Sequence, residues 1–177
     1  MNASPEKYDP IARLLHWLVL VLLIVQFGIA WTMPEIGRDS KPEGLIAWHL
    51  SVGTLILLVI VLRIVWRLTH AVPPSPTTIP AWQRSLSRLT HFLLYAILLV
   101  LPVIGWGNAS SRGWDVSLFG VVTLPRLFAQ GSALGHELGD IHALLATILL
   151  IVAGLHVAAA LYHQFIVKDR TLARMLP

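Results

Sequence analysis

Asp, Glu, Lys and Arg are excluded from four long stretches of the chain: 14–34, between Arg13 and Glu35; 44–62, between Glu43 and Arg63; 89–111, between Arg88 and Arg112; and 141–167, between Asp140 and Lys168. Each stretch is long enough to cross a bilayer, which takes about 20 apolar residues at about 1.5 Å per residue. The pattern predicts an all-α integral membrane protein with spans at about 11–33, 44–68, 86–107 and 136–166, packed as an up-down-up-down four-helix bundle. The connections are short, so residues 1–177 read as one domain.

Composition agrees with lipid as the solvent. Of 177 residues, 56% are hydrophobic and 12% charged, where soluble domains hold about 45–50% and about 25%. The first apolar run is longer than a secretory signal, about 7–15 residues, and has no Ala-x-Ala-like end, so it reads as a retained signal anchor. The chain contains no cysteine, which removes disulfides, iron–sulfur clusters and thiol catalysis.

The net charge of +4 bears on topology. Lys7, Arg13, Arg63, Arg67, Arg84, Arg88, Lys168, Arg170 and Arg174 flank one side of the predicted spans. The other side carries Arg38, Lys41, Arg112 and Arg126 among Glu35, Asp39, Glu43, Asp115, Glu137 and Asp140. The positive-inside rule then puts both termini in the cytoplasm, in a multi-pass protein of the cytoplasmic membrane. The basic residues are dispersed beside the spans, and no nucleic-acid partner is indicated. A proline-rich segment, Val72 to Pro80, breaks the helix between spans two and three. Trp31, Trp48, Trp66, Trp106 and Trp114 fall near span ends, as an aromatic belt requires.

Four histidines lie inside the apolar spans, where an ionisable group is costly and marks function. His16 is near the cytoplasmic start of span one, and His49 near the opposite surface in span two. His142 and His156 of span four are fourteen residues apart, a rise of about 21 Å and within about 40° of one face. His142 can therefore meet His49 at the outer level, and His156 can meet His16 at the inner level. Taken singly, each histidine could be helix glue; the matched depths point instead to two bis-imidazole haems. Neutral imidazoles fill the two axial positions of a porphyrin iron without adding charge to the hydrocarbon. A structural zinc site would want about four ligands at one level.

Gly53, Gly139 and Gly154 lie beside these histidines and could clear room for a flat macrocycle, or serve close helix packing. His163, seven residues beyond His156, could protonate or hydrogen-bond a group near the inner level. His91 reaches the same level and competes for the inner ligand positions. His70 and His136 read as wetted surface residues.

These residues resemble the bacterial cytochrome b561 family. The likeness is carried by Arg13-Leu-Leu-His-Trp17, by Trp48-His49 with Gly53, by Leu101-Pro-Val-Ile-Gly105, by His142 with Gly154-Leu-His156, and by Tyr162-His163-Gln-Phe165 through Lys168 to Met175. It extends over nearly the whole chain. The resemblance implies two haem b groups, on His49/His142 and His16/His156, and ubiquinone near the inner one, with His163 and His91 as candidate contacts.

Short stand-alone members of that family look like superoxide oxidases, so the resemblance further implies oxidation of superoxide to dioxygen at the periplasmic side. Electrons would pass through the two haems to ubiquinone. On that reading Arg112, which matches an outer-loop arginine of the family, together with Arg126, Arg38 and Lys41, attracts the superoxide anion. Two other readings stand beside it: a haem-b electron-transfer subunit docked to a membrane dehydrogenase or hydrogenase, and a cofactor-free proton-coupled transporter. A second copy of the chain, or a redox partner subunit, is compatible with all three.

Overall fold

The computed structural model describes residues 7–37, 39–74, 79–169 and 171–176. Four helices, all long and apolar enough to span a membrane, make up most of the chain. They are α1 (Pro10–Thr32), α2 (Gly44–Thr69), α3 (Ala81–Ser111) and α4 (Ala133–Tyr162). A π-helical turn (His163–Val167) extends α4, and a short 3₁₀ turn (Leu172–Arg174) lies in the tail.

Local chemistry sets the helix ends. Asp9 caps α1 by accepting the N–H groups of Ile11 and Ala12 at 2.8 and 3.2 Å, and Pro10, at the first helical position, loses no hydrogen bond there. Pro80 stands at the N-cap of α3, and the Ser132 hydroxyl accepts the Gly135 N–H at the start of α4. α3 is longer than the apolar stretch that announced it. Its first turns carry Arg84 and Arg88, so hydropathy marks where the helix enters lipid and not where it begins.

α1 packs on α2, α2 on α3, and α3 on α4. The shared core runs through Val19 and Leu22 of α1, Val52, Ile56, Val59 and Ile60 of α2, Ile97, Leu98 and Leu101 of α3, and Leu149 of α4. Outward-facing apolar side chains such as Leu14, Ile24, Leu155 and Ile151 are left exposed, as a lipid-facing surface requires. Pro102 sits inside α3 and leaves the Leu98 carbonyl without its usual helical donor.

The α3–α4 connection forms a roof that the spacing of glycines had not announced. A two-stranded hairpin, β1 (Ser117–Leu118) and β2 (Val122–Thr123), turns through Phe119 and Gly120, both at positive φ. Ser51 of α2 ties it down, donating its hydroxyl to the Ser117 carbonyl at 3.0 Å and accepting the Phe119 N–H at 3.3 Å. Trp114, Val116 and Ala109 pack with Ile46 in a second small core at this end.

Candidate haem-binding layers

The histidines fall into two layers. At the end of the bundle under the roof, the rings of His49 on α2 and His142 on α4 have centroids 6.1 Å apart and planes 72° apart. At the opposite end, His16 of α1 and His156 of α4 stand 6.3 Å apart at 79°. His91 of α3 joins this second layer, 5.2 Å from His156.

An imidazole nitrogen sits about 2.0 Å from a first-row metal and about 1.1 Å in front of its ring centre, so two imidazoles trans across one iron have centroids about 6 Å apart. The couples His49/His142 and His16/His156 meet that spacing, while His91 and His156 are closer than it allows. Neither couple lies on one of the extensively packed helix pairs, which are α1 with α2, α2 with α3 and α3 with α4. A planar group needs looser packing of that kind. Among the described residues no three His, Cys, Asp or Glu side chains converge on a point, and a haem iron requires only two because the porphyrin supplies the rest.

The residues of the outer layer fit a bound group most clearly. His142 Nδ1 lies 3.0 Å from the Leu101 carbonyl. A carbonyl only accepts, so Nδ1 carries the proton and Nε2 keeps its lone pair, the tautomer of a metal-binding histidine. His49 has a buried Nδ1 without any hydrogen-bond partner, and buried polar atoms of that kind are rare unless a bound group completes them. Both rings line an apolar cavity of about 240 Å³, together with Gln26, Gly53, Gly105, Val116 and Leu124.

Gly105 entered the sequence reading only as the end of the Leu101–Gly105 motif, with no role beside a ligand, and Gln26 escaped it. A Cβ on Gly105 would come within 2.9 Å of the His142 ring, so only glycine lets α3 approach that imidazole. The Gln26 amide donates to the His49 carbonyl at 3.1 Å and lies 3.3 Å from His49 Nε2. Its signal was available: it is an uncharged polar residue isolated in an apolar span.

Of the three glycines read as haem-packing, Gly53 lines the outer cavity opposite Gln26, Gly139 lies against Asn108 of α3, and Gly154 faces open space.

At the inner end, His163 opens the π turn, and its Nδ1 is 2.5 Å from Asp169 Oδ2. Burial alone would raise the Asp169 carboxyl; hydrogen bonds from Thr171 and His163 outweigh it and hold the group below its ordinary 3.8. His91 turns its Nδ1–H back onto the Ser87 carbonyl at 2.7 Å. The tail clasps this end, with Arg13 donating to the Leu176 carbonyl at 2.6 Å and Trp17 Nε1 to the Met175 carbonyl at 2.8 Å.

At the outer end, Arg112 donates to Asn108 Oδ1 at 3.2 Å and to the Gly37 carbonyl at 3.1 Å, and lies over Trp114. Arg126 is paired with Asp115 at 2.9 Å on the surface. Lys41 is exposed, and Arg38 lies outside the described residues.

Comparison with known proteins bears on the whole chain. The family model described as prokaryotic cytochrome b561 matches residues 7–177. A probable superoxide oxidase, CybB, of Yersinia pestis is 34% identical over 176 residues, covering 97% of both chains. Cytochrome b561 homolog 2 of Escherichia coli is 29% identical, covering 98% of this chain and 93% of its own. Cytochrome b562 of Cereibacter sphaeroides is 27% identical over 96% of this chain and 94% of its own.

Proposed function

The chain belongs to the prokaryotic cytochrome b561 family, electron-transport proteins of the bacterial inner membrane for which haem b is the expected cofactor, and from that premise we propose that it is a two-haem superoxide:ubiquinone oxidoreductase. The observation that carries the two-haem reading is the pair of histidine couples at 6.1 and 6.3 Å, one at each end of the bundle. The probable superoxide oxidase of Yersinia pestis, similar along its whole length, supports superoxide as the donor. Both termini face the cytoplasm on this reading, because basic residues crowd that end.

When bound, each haem supplies a one-electron ferric/ferrous couple. The protein's part is placement and charge. His49 and His142 hold the outer group, and His16 and His156 the inner one. Val116 and Leu124 of the roof line the outer cavity with apolar side chains. Arg112 lies above that layer, and a cation there raises the local concentration of a small anion. Superoxide yields dioxygen by losing one electron and no proton, so two turnovers furnish the two electrons that, with two cytoplasmic protons, reduce one ubiquinone to ubiquinol. His163, held by Asp169 with Nδ1 as the donor, would, once protonated, give the Nε2 proton to the oxygen of a quinone bound beside it, and His91 stands at the same level.

The test has two stages. A reduced-minus-oxidised spectrum with haem quantification should give two haems b per chain; a colourless folded protein ends the reading. Stopped-flow reduction of that haem by superoxide, with ubiquinone present and no other protein, should then proceed. A requirement for a co-purifying subunit would favour the dehydrogenase or hydrogenase conduit.

A further inference from the structure

The two layers differ in charge. Fourteen residues separate His142 from His156 on α4, and the same fourteen separate His49 from Arg63 on α2. Arg63 therefore occupies on α2 the inner-level position that His156 occupies on α4. The inner layer thus takes one ionisable side chain from every helix: His16, Arg63, His91 and His156.

Arg63 is an intramembrane cation whose hydrogen-bond partners are neutral. Its Nε donates to the Tyr95 hydroxyl at 3.0 Å and an Nη to the Ala12 carbonyl at 3.0 Å. Arg67 lies over the same tyrosine, with the two guanidinium carbons 5.8 and 5.7 Å from its ring centre. Among the described residues the ion pairs are Arg126–Asp115 and His163–Asp169, and Arg63 is in neither. Asp9, which lines a shallow pocket together with Arg63, caps α1 and accepts from Trp66 Nε1 at 3.0 Å. Arg63 is within electrostatic reach of His16, His91 and His156. The residues lining the outer cavity include no lysine or arginine.

An unneutralised positive charge in a medium of low dielectric acts strongly on any redox centre beside it. A bis-imidazole haem core carries one positive charge when ferric and none when ferrous, so a nearby cation favours the ferrous form. We propose that Arg63 makes the inner haem the stronger electron acceptor of the two, so that electrons entering at the outer layer fall toward the quinone end. This rests on the two-haem reading and adds a direction to it. Arg63 hydrogen-bonds to Tyr95 and Ala12 and to no ligand nitrogen, and acts through its charge alone, in a step that moves one electron and no proton.

The test is an anaerobic potentiometric titration of the purified protein, followed in the visible spectrum, with haem counted per chain. In Arg63→Gln the higher of the two midpoints should move down while the lower stays in place and two haems remain. Arg63→Lys, which keeps the charge, should hold both near their original values. Unchanged midpoints in Arg63→Gln overturn the inference, as does an Arg63→Lys shift as large as that of Arg63→Gln. Should Arg63→Gln retain one haem only, Arg63→Lys decides: a preserved higher midpoint supports the charge effect, and a lowered one overturns it. A native protein with fewer than two haems overturns the two-haem reading first, and this inference with it.

Discussion

His142 and Leu101, on facing helices, are joined by a hydrogen bond of 3.0 Å that fixes which imidazole nitrogen is free. The free nitrogen belongs to the ring facing His49. If the couple holds one haem, removing either member removes one axial ligand from that group alone. His49→Ala and His142→Ala should each lower haem content from two per chain to about one, and His16→Ala and His156→Ala should do the same for the other group. Two haems retained in His142→Ala would break the assignment of the outer couple.

The glycines separate crowding by protein from crowding by cofactor. A methyl on Gly105 meets the His142 ring at 2.9 Å, and overpacking of this kind costs about 1–3 kcal/mol. Gly105→Ala should therefore lower thermal stability and disturb the outer haem band. A methyl on Gly154 meets no protein atom within 4 Å. If a macrocycle lies there, Gly154→Ala should reduce inner-haem occupancy while the protein stays folded; full occupancy would place Gly154 against lipid.

How much could be read in advance depends on which physical constraint governs each element. Hydrocarbon excludes charge, so the four spans were legible from Arg13, Glu43, Arg88 and Asp140 inward. Helical geometry is regular, so the fourteen-residue step from His142 to His156 announced two layers with their partners His16 and His49. The Ser117–Thr123 hairpin was not legible, because strands of two residues are stabilised by Ser51 and Trp48 of a distant helix and not by their own pattern. Arg63 hid for another reason. Its charge marks the end of an apolar run, and only the fold shows that it faces Tyr95 and Ala12.

The His163–Asp169 contact bears on acid stability and, on the proposed reading, on quinone reduction. The Asp169 carboxyl is held below its ordinary value, so its bonds stabilise the fold above the unfolded value and that contribution is lost as pH falls through the folded one. Thermal stability should therefore decline below about pH 4, the range where free carboxyls titrate. Asp169→Asn should be less stable at neutral pH and show a flatter acid limb. His163→Leu should keep both haem spectra and suppress ubiquinone reduction; an unchanged rate would remove His163 from the quinone site.

Arg112 and Arg126 offer a contrast within one loop. Arg126 is neutralised by Asp115, both side chains being exposed at 45 and 64%, so it contributes little net field at the outer surface. Arg112 bonds to Asn108 and to the Gly37 carbonyl, neither of them charged, and is in neither of the ion pairs among the described residues, Arg126–Asp115 and His163–Asp169. Steering by charge raises association rates and weakens as salt screens it over about 10 Å at 0.1 M. Arg112→Gln should slow haem reduction by superoxide several-fold at low ionic strength and flatten its salt dependence. Replacing Arg126 and Asp115 together, by Gln and Asn, should change both much less, because the net charge of that pair is zero before and after. Equal losses in the two variants, or none in Arg112→Gln, would move the anion's approach away from Arg112.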